Sequence, residues 1–203
     1  MTAKSRAGFT LLELVVALAI TSVALAAGYA ALGSLVDRRQ ALDADVREVT
    51  RIAALRSHLT ELLAGSSIDE AGTQSFRGVA SLRDGVEDDA ITFLTRAHTP
   101  LGDGPSIVRL FIARDAAGRP QGLAAEYAAW HGTAHSAALL DSTVRGLSVQ
   151  YRASVVSDGE WQRTWLQPAR LPVGVRVRLI AAAGDSLPPL ARVPMVIATE
   201  AAR

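Results

Sequence analysis

Cysteine is absent from the 203-residue chain, which excludes structural disulfides and thiol chemistry but does not separate cytoplasm from periplasm. Charge of one sign is also lacking: 21 Lys and Arg stand against 20 Asp and Glu, a formal net charge of +1. Such a balance gives no electrostatic footprint for nucleic acid. There is no internal repeat, and no low-complexity tract beyond a general richness in Ala. There is no Gly-x-Ser-x-Gly elbow, and no combination of nucleophile, base and orienting group stands out, so no catalytic residue and no enzyme activity is assigned. His131 and His135 have the spacing of two helical zinc ligands, but Gly132-Thr133-Ala134 between them lacks a Glu and weakens a helix, so the pair reads as a solvated loop. Asp84-Gly85-Val86-Glu87-Asp88-Asp89 is acidic enough to offer oxygens to Ca²⁺, yet it lacks the alternating ligand spacing and distal Glu of an EF-hand loop. Gly102-Asp103-Gly104 is too short for a phosphate-binding fingerprint and precedes a strand. No metal and no cofactor is expected.

Charge is missing again between Glu13 and Asp37, and here the absence is informative. The run from Leu14 to Val36 is close to the roughly 20 apolar residues that a helix needs to cross a bilayer core. Hydrophobic residues make up 49% of the chain, which suits one globular domain plus an apolar anchor. Lys4 and Arg6 form a short basic flank, predicting a cytoplasmic N-terminus and delivery of the remainder to the far side, despite Arg38 and Arg39. A secretory signal peptide satisfies some of the same requirements, with small residues at Ala24-Leu25-Ala26, but its apolar core is usually about 7–15 residues long. The helical pattern here continues past that length. Glu13 also sits at the start of the apolar core, where an ionisable group is expensive and usually functional.

The stretch Gly8-Phe9-Thr10-Leu11-Leu12-Glu13-Leu14 resembles the processing motif of type IV prepilins and type II secretion pseudopilins. The resemblance implies that a prepilin peptidase cuts after Gly8, that the new N-terminal Phe9 is N-methylated, and that Glu13 becomes the fifth mature residue. A released α-amine and a carboxylate are both costly in a membrane. Pairing the amine of one subunit with Glu13 of a neighbour reduces both penalties and sets register.

Beyond the span, Leu35, Leu42, Val46, Val49, Ile52, Leu55, Leu59 and Leu62 recur in steps dominated by three and four, with charged residues between them, so the helix continues as an amphipathic rod. From Phe9 to about Ala64 it would reach roughly 80 Å, with Gly65-Ser66-Ser67 as a stop. The apolar stripe is expected to be a seam against the protein's own sheet. Gly28 and Gly33 permit close helix approach or local unwinding. After Gly65 come short β-type runs: Phe76 to Leu82, Ile91 to Thr95, Ile107 to Ala113, Leu123 to Trp130, Val144 to Val156, Trp161 to Leu166, Val173 to Ala181 and Arg192 to Thr199. Alternation over Val173 to Leu179 puts Arg176 and Arg178 on a wet face and the valines inside. Turns are expected at Asp115 to Pro120, Ser157 to Gly159 and Gly184 to Ser186.

Trp161 and Trp165 are four apart, hence expected on one side of a strand and in the core. Ser148-Val149-Gln150-Tyr151-Arg152, Asp158-Gly159-Glu160-Trp161 with Trp165, and Leu171-Pro172-Val173-Gly174-Val175 are similar to the C-terminal half of J-type minor pseudopilins of type II secretion; so are Thr95-Arg96 and Glu126-Tyr127 to Trp130. Leu166 departs from that pattern, which often has Pro there. The resulting expectation is an α+β chain: leader 1–8, membrane-spanning half-helix 9–36, amphipathic half-helix 37–64 and an antiparallel β-rich periplasmic head 65–203, the pilin-like arrangement. The resemblance implies a single-pass bacterial inner-membrane protein at the pseudopilus tip, partnered by I- and K-type minor pseudopilins and the major pseudopilin and processed by the prepilin peptidase. A minor pilin of a type IV pilus shares the leader and helix. A membrane-tethered periplasmic enzyme or binding domain is the rival of a different class, and it would show a mature N-terminus near Ala27.

Overall fold

A computed structural model describes residues 11–69, 76–154, 160–167, 169–181 and 189–199. The leader, Phe9 and the expected turns at Ser157 to Gly159 and Gly184 to Ser186 lie outside these residues. The chain is α+β: a long N-terminal helix, α1 (Leu11–Ala64), followed by an antiparallel β head. It divides into two compact units, Met1–Glu48 and Val49–Arg203. In the first, every described residue up to Arg47 is exposed on the helix. The second contains the last turns of α1 and all the strands.

The strands are β1 (Phe76–Val79), β2 (Leu82–Arg83), β3 (Val86–Glu87), β4 (Ala90–Thr95), β5 (Ser106–Arg114), β6 (Pro120–Ala129), β7 (His135–Asp141), β8 (Val144–Arg152), β9 (Gly174–Ala181) and β10 (Met195–Ala198), with a short helix α2 (Pro189–Arg192) before the last. They form a five-stranded sheet in the order β1-β4-β5-β6-β7, a three-stranded sheet β10-β9-β8, and the small β2-β3 ribbon, with every named strand pair antiparallel. β8 packs against β4, β5 and β6. Local chemistry explains the tight turns. Asp84 and Gly85 both have positive φ, 52° and 75°, which gives the β2-β3 turn a backbone twist that matches the flanking strands. Between β5 and β6, the Asp115 carboxylate accepts from the Ala117 and Arg119 amides, both at 2.9 Å, while Gly118 takes φ 79°.

One apolar cluster fills the head, with Leu59, Leu62, Phe76, Phe93, Val149 and Trp165 among its most deeply buried members. The helix stripe joins it only in part. Ile52, Leu55, Leu59, Leu62 and Leu63 are buried, whereas Leu42, Val46 and Val49 are exposed, so the expected seam begins at Ile52 instead of Leu42. The helix ends where Thr95 Oγ1 of β4 donates to the Leu62 carbonyl at 2.8 Å and the Arg96 amide donates to the Gly65 carbonyl at 2.9 Å, supplying partners to the last turn. A side chain at Gly65 would sit 3.0 Å from the Ala97 amide nitrogen, which explains the small residue at this stop.

Other expectations change as well. β7 was not expected. Phe76 to Leu82 breaks into β1 and β2, and Arg192 to Thr199 begins with the end of α2. The Trp161 to Leu166 segment is a strap tied by two isolated bridges, Gln162 to Tyr151 and Trp165 to Gly78. Of its two tryptophans only Trp165 is buried; its indole nitrogen donates to the Arg170 carbonyl at 2.9 Å, while Trp161 remains partly exposed. The two sheets meet closely where β1 passes β8: a Cβ on Gly78 would fall 1.9 Å from Tyr151 Oη, so this crossing requires glycine.

Candidate processing and assembly site

Of the residues expected to carry processing and assembly, Gly8 and Phe9 lie outside the described residues. Glu13 lies in the first turn of α1 as described, at the start of a segment whose large apolar side chains all face outward, from Leu11 at 82% exposure to Val36 at 53%. An 18-residue window of this helix has a mean hydropathy of 2.2 and none of it is buried, so α1 is long and apolar enough to cross a membrane. The polar groups in this stretch suit an environment without water. Thr21 Oγ1 donates to the Ala17 carbonyl at 2.7 Å, Ser22 Oγ to Leu18 at 2.8 Å and Ser34 Oγ to Ala31 at 2.8 Å. These three hydroxyls are thus satisfied within their own helix, as a lipid-facing or helix-packed surface demands. A Cβ at Gly28 or Gly33 would meet nothing within 4 Å, leaving two places where another helix backbone can approach closely.

Residues 3–29 match the prokaryotic N-terminal methylation motif. The methylation motif therefore covers the basic flank, the Gly8-Phe9 junction, Glu13 and the apolar half of the span through Tyr29. No curated protein matches the chain. Among solved structures, a chain of the GspK-GspI-GspJ complex from the type 2 secretion system of enterotoxigenic Escherichia coli superposes with a TM-score of 0.49 and 16% identity, over 74% of this chain and 96% of that one.

Within the head, the last turns of α1 are held by polar clamps that sequence reasoning did not identify. Arg51 reaches the β7-β8 turn and pairs with Asp141, whose side chain is completely buried. Asp141 also accepts from the Thr143 amide and hydroxyl, both at 2.7 Å, and from the Val144 amide at 3.3 Å. The Asp-Ser-Thr sequence after a strand is an Asx-turn signal and was the available clue; its partner 90 positions upstream was not readable. Arg56 donates to the Leu190 and Val193 carbonyls at 3.0 and 2.6 Å, and His58 Nε2 lies 3.1 Å from Tyr127 Oη. Burial raises the Tyr127 phenol above its ordinary pKa.

The acidic turn is committed to arginines. Asp88 pairs with Arg114 at 2.9 Å, and Arg163 lies 3.0 Å from Glu87 and 3.4 Å from Asp89. The buried Asp89 carboxylate also accepts from the Ser81 and Val149 amides, both at 2.8 Å. At Glu87, burial works to raise the pKa, but hydrogen bonds from Arg178 and Ser148 and the charges of Arg178 and Arg163 outweigh it and hold the carboxyl below its ordinary range. This arrangement fastens the β2-β3 ribbon and the tryptophan strap to the three-stranded sheet. His131 sits in the turn after β6 and His135 opens β7, both exposed and not on a helix. Among the described residues no three His, Asp or Glu groups are placed to hold a metal.

Proposed function

We propose that this chain is a minor pseudopilin of the J type, a structural subunit of the pseudopilus tip that supports protein export across the outer membrane by type II secretion. In this reading the prepilin peptidase removes residues 1–8, Phe9 becomes the N-methylated N-terminus, and residues 9–36 hold the protein in the inner membrane with the basic end cytoplasmic and the head periplasmic. The methylation motif over residues 3–29, leading into one 54-residue helix with an unburied apolar half, carries the proposal. The J subtype and its I- and K-type partners rest on the resemblance of the segments around Tyr151, Trp161 and Leu171. Its action is mechanical, with no chemical step assigned to it.

The Glu13 carboxylate would pair with the α-amine of Phe9 in a neighbouring subunit. A charged group left alone in the bilayer costs about 2.5–3.5 kcal/mol by insertion measurements, so a mutually neutralising pair is favoured over two isolated charges. N-terminal mass spectrometry of the membrane-extracted protein should find N-methylated Phe9, and Gly8→Leu should retain the leader. A mature terminus near Ala27, or a Gly8→Leu chain that still runs at the mature mass, would sink the proposal. Co-purification with I- and K-type pseudopilins, as against the minor pilins of a type IV pilus, separates the two assemblies that share this N-terminus.

A further inference from the structure

The outer face of the three-stranded sheet carries an arginine whose charge the head does not use. Strand register places Val196 of β10 beside Arg176 of β9, and Arg176 beside Gln150 of β8; in the adjoining row Arg178 lies beside Ser148. Val175, Val177 and Leu179 point the other way, into the core. The Arg176 guanidinium stacks 4.1 Å above the Trp161 ring and donates to Gln150 Oε1 at 3.2 Å. Its neighbours Arg178 and Arg163 share the carboxylates of Glu87 and Asp89. Among the described residues no carboxylate pairs with Arg176.

A cavity of about 230 Å³ opens beside it, lined by Ser148, Gln150, Arg176, Arg178 and Pro194. That is below the roughly 300–1,000 Å³ of a small-molecule site, and it suits one side chain better than a whole ligand. Val196, 65% exposed and paired with Arg176 in the strand register, supplies apolar surface beside it. We infer that this face docks an acidic segment of a partner polypeptide, with one Asp or Glu side chain entering the cavity to pair with Arg176 and an adjacent apolar residue covering Val196. Charge complementarity selects this occupant. A half-buried guanidinium has lost part of its hydration without gaining a counter-ion, and a carboxylate returns both charge and a forked pair of hydrogen bonds. Stacking on Trp161 and the bond to Gln150 fix the fork beforehand, so less ordering cost remains on association. Arg and Trp beside exposed aliphatic residues are also the composition of interface centres. The inference uses the head alone and holds whichever way the N-terminus is processed.

The test is fluorescence anisotropy of a labelled Glu-Val-Glu-Val-Glu peptide titrated with the full chain in non-ionic detergent, with Gln-Val-Gln-Val-Gln as the neutral control. The acidic peptide should bind in preference to the control, and Arg176→Gln should weaken it about tenfold. Val196→Glu places a carboxylate next to Arg176 within the chain and should abolish binding; being on an exposed position, it should melt like the parent. Equal binding of the two peptides overturns the inference, as does an Arg176→Gln variant that binds like the parent. Should Arg176→Gln fail to fold, unimpaired binding by folded Val196→Glu overturns it instead. Retention on phosphatidylglycerol vesicles that depends on Arg176, without peptide binding, would overturn it in favour of an anionic lipid surface.

Discussion

Replacing Asp141 with Ala tests what fastens the helix to the head. The change removes the acceptor of four donors: the Thr143 amide and hydroxyl, the Val144 amide and the Arg51 guanidinium, which still donates to Thr143 Oγ1 at 3.2 Å. A buried donor without a partner costs about 1–3 kcal/mol, and breaking a buried ion pair from one side costs about 3–5 kcal/mol. The Arg51 side chain is 34% exposed, so water recovers part of its loss. The net expectation is about 3–4 kcal/mol, less than the sum of separate penalties because the groups share one carboxylate. For a chain of this size that lowers Tm by about 6–16 °C. Asp141→Asn keeps an acceptor for the turn and should lose about 1–2 kcal/mol, chiefly its charge-assisted share. Arg51→Ala leaves Asp141 its three local donors and should fall between the parent and Asp141→Ala. The double variant should then cost less than the two single changes together. Thermal melts by circular dichroism in one detergent measure all four proteins. If Asp141→Ala melts within about 2 °C of the parent, or the two single changes simply add, the clamp does not hold the helix as argued.

Val49→Asp should melt like the parent because Val49 is 48% exposed, whereas Leu59→Asp should unfold the head by burying an unpaired carboxylate at a site with 0% exposure; equal melts would refute the revised seam. Gly78→Ala should destabilise the head by about 1–3 kcal/mol through overpacking against Tyr151, read as a lower urea midpoint; an unchanged midpoint would refute the tight approach of β1 to the Tyr151 ring. Glu87 has its folded-state pKa lowered from 4.5, so its contribution is present above that value and disappears as pH falls through the folded pKa. Glu87→Gln should therefore be less stable than the parent at pH 7 and approach it in acid. A difference that grows on acidification would reverse the sign and exclude the arginine pairing as its source.

Much of this protein is written locally. The methylation motif, the charge-free run and the continuous helical pattern need only neighbours within a few residues, and α1 follows them from Leu11 to Ala64. Alternation in β9 foretold Arg176 outside and Val175 and Val177 inside, because a strand's side-chain period is two whatever packs on it. Asp115, Gly118 and Pro120 likewise announced their turn. β7 gave no such signal. His-Ser-Ala-Ala-Leu-Leu-Asp is poor in β-branched and aromatic residues, and it becomes a strand by pairing with β6.

Tertiary structure alone decided where the apolar stripe stops facing outward and starts facing a core. Helical periodicity identifies a face, and Leu42, Val49 and Leu59 look alike by that measure; only the position of the sheets buries the last and leaves the first two exposed. The same reason separates Trp165, turned from the strap into the core, from Trp161, left outside beneath Arg176. It also brings Arg51 to Asp141 across 90 residues of chain. Sequence determined the helix, its membrane-length apolar half and the alternation of β9, because each depends on local spacing. Tertiary structure determined the depth of the seam, the polar clamps and the arginine face, because each depends on which distant strands arrive beside them.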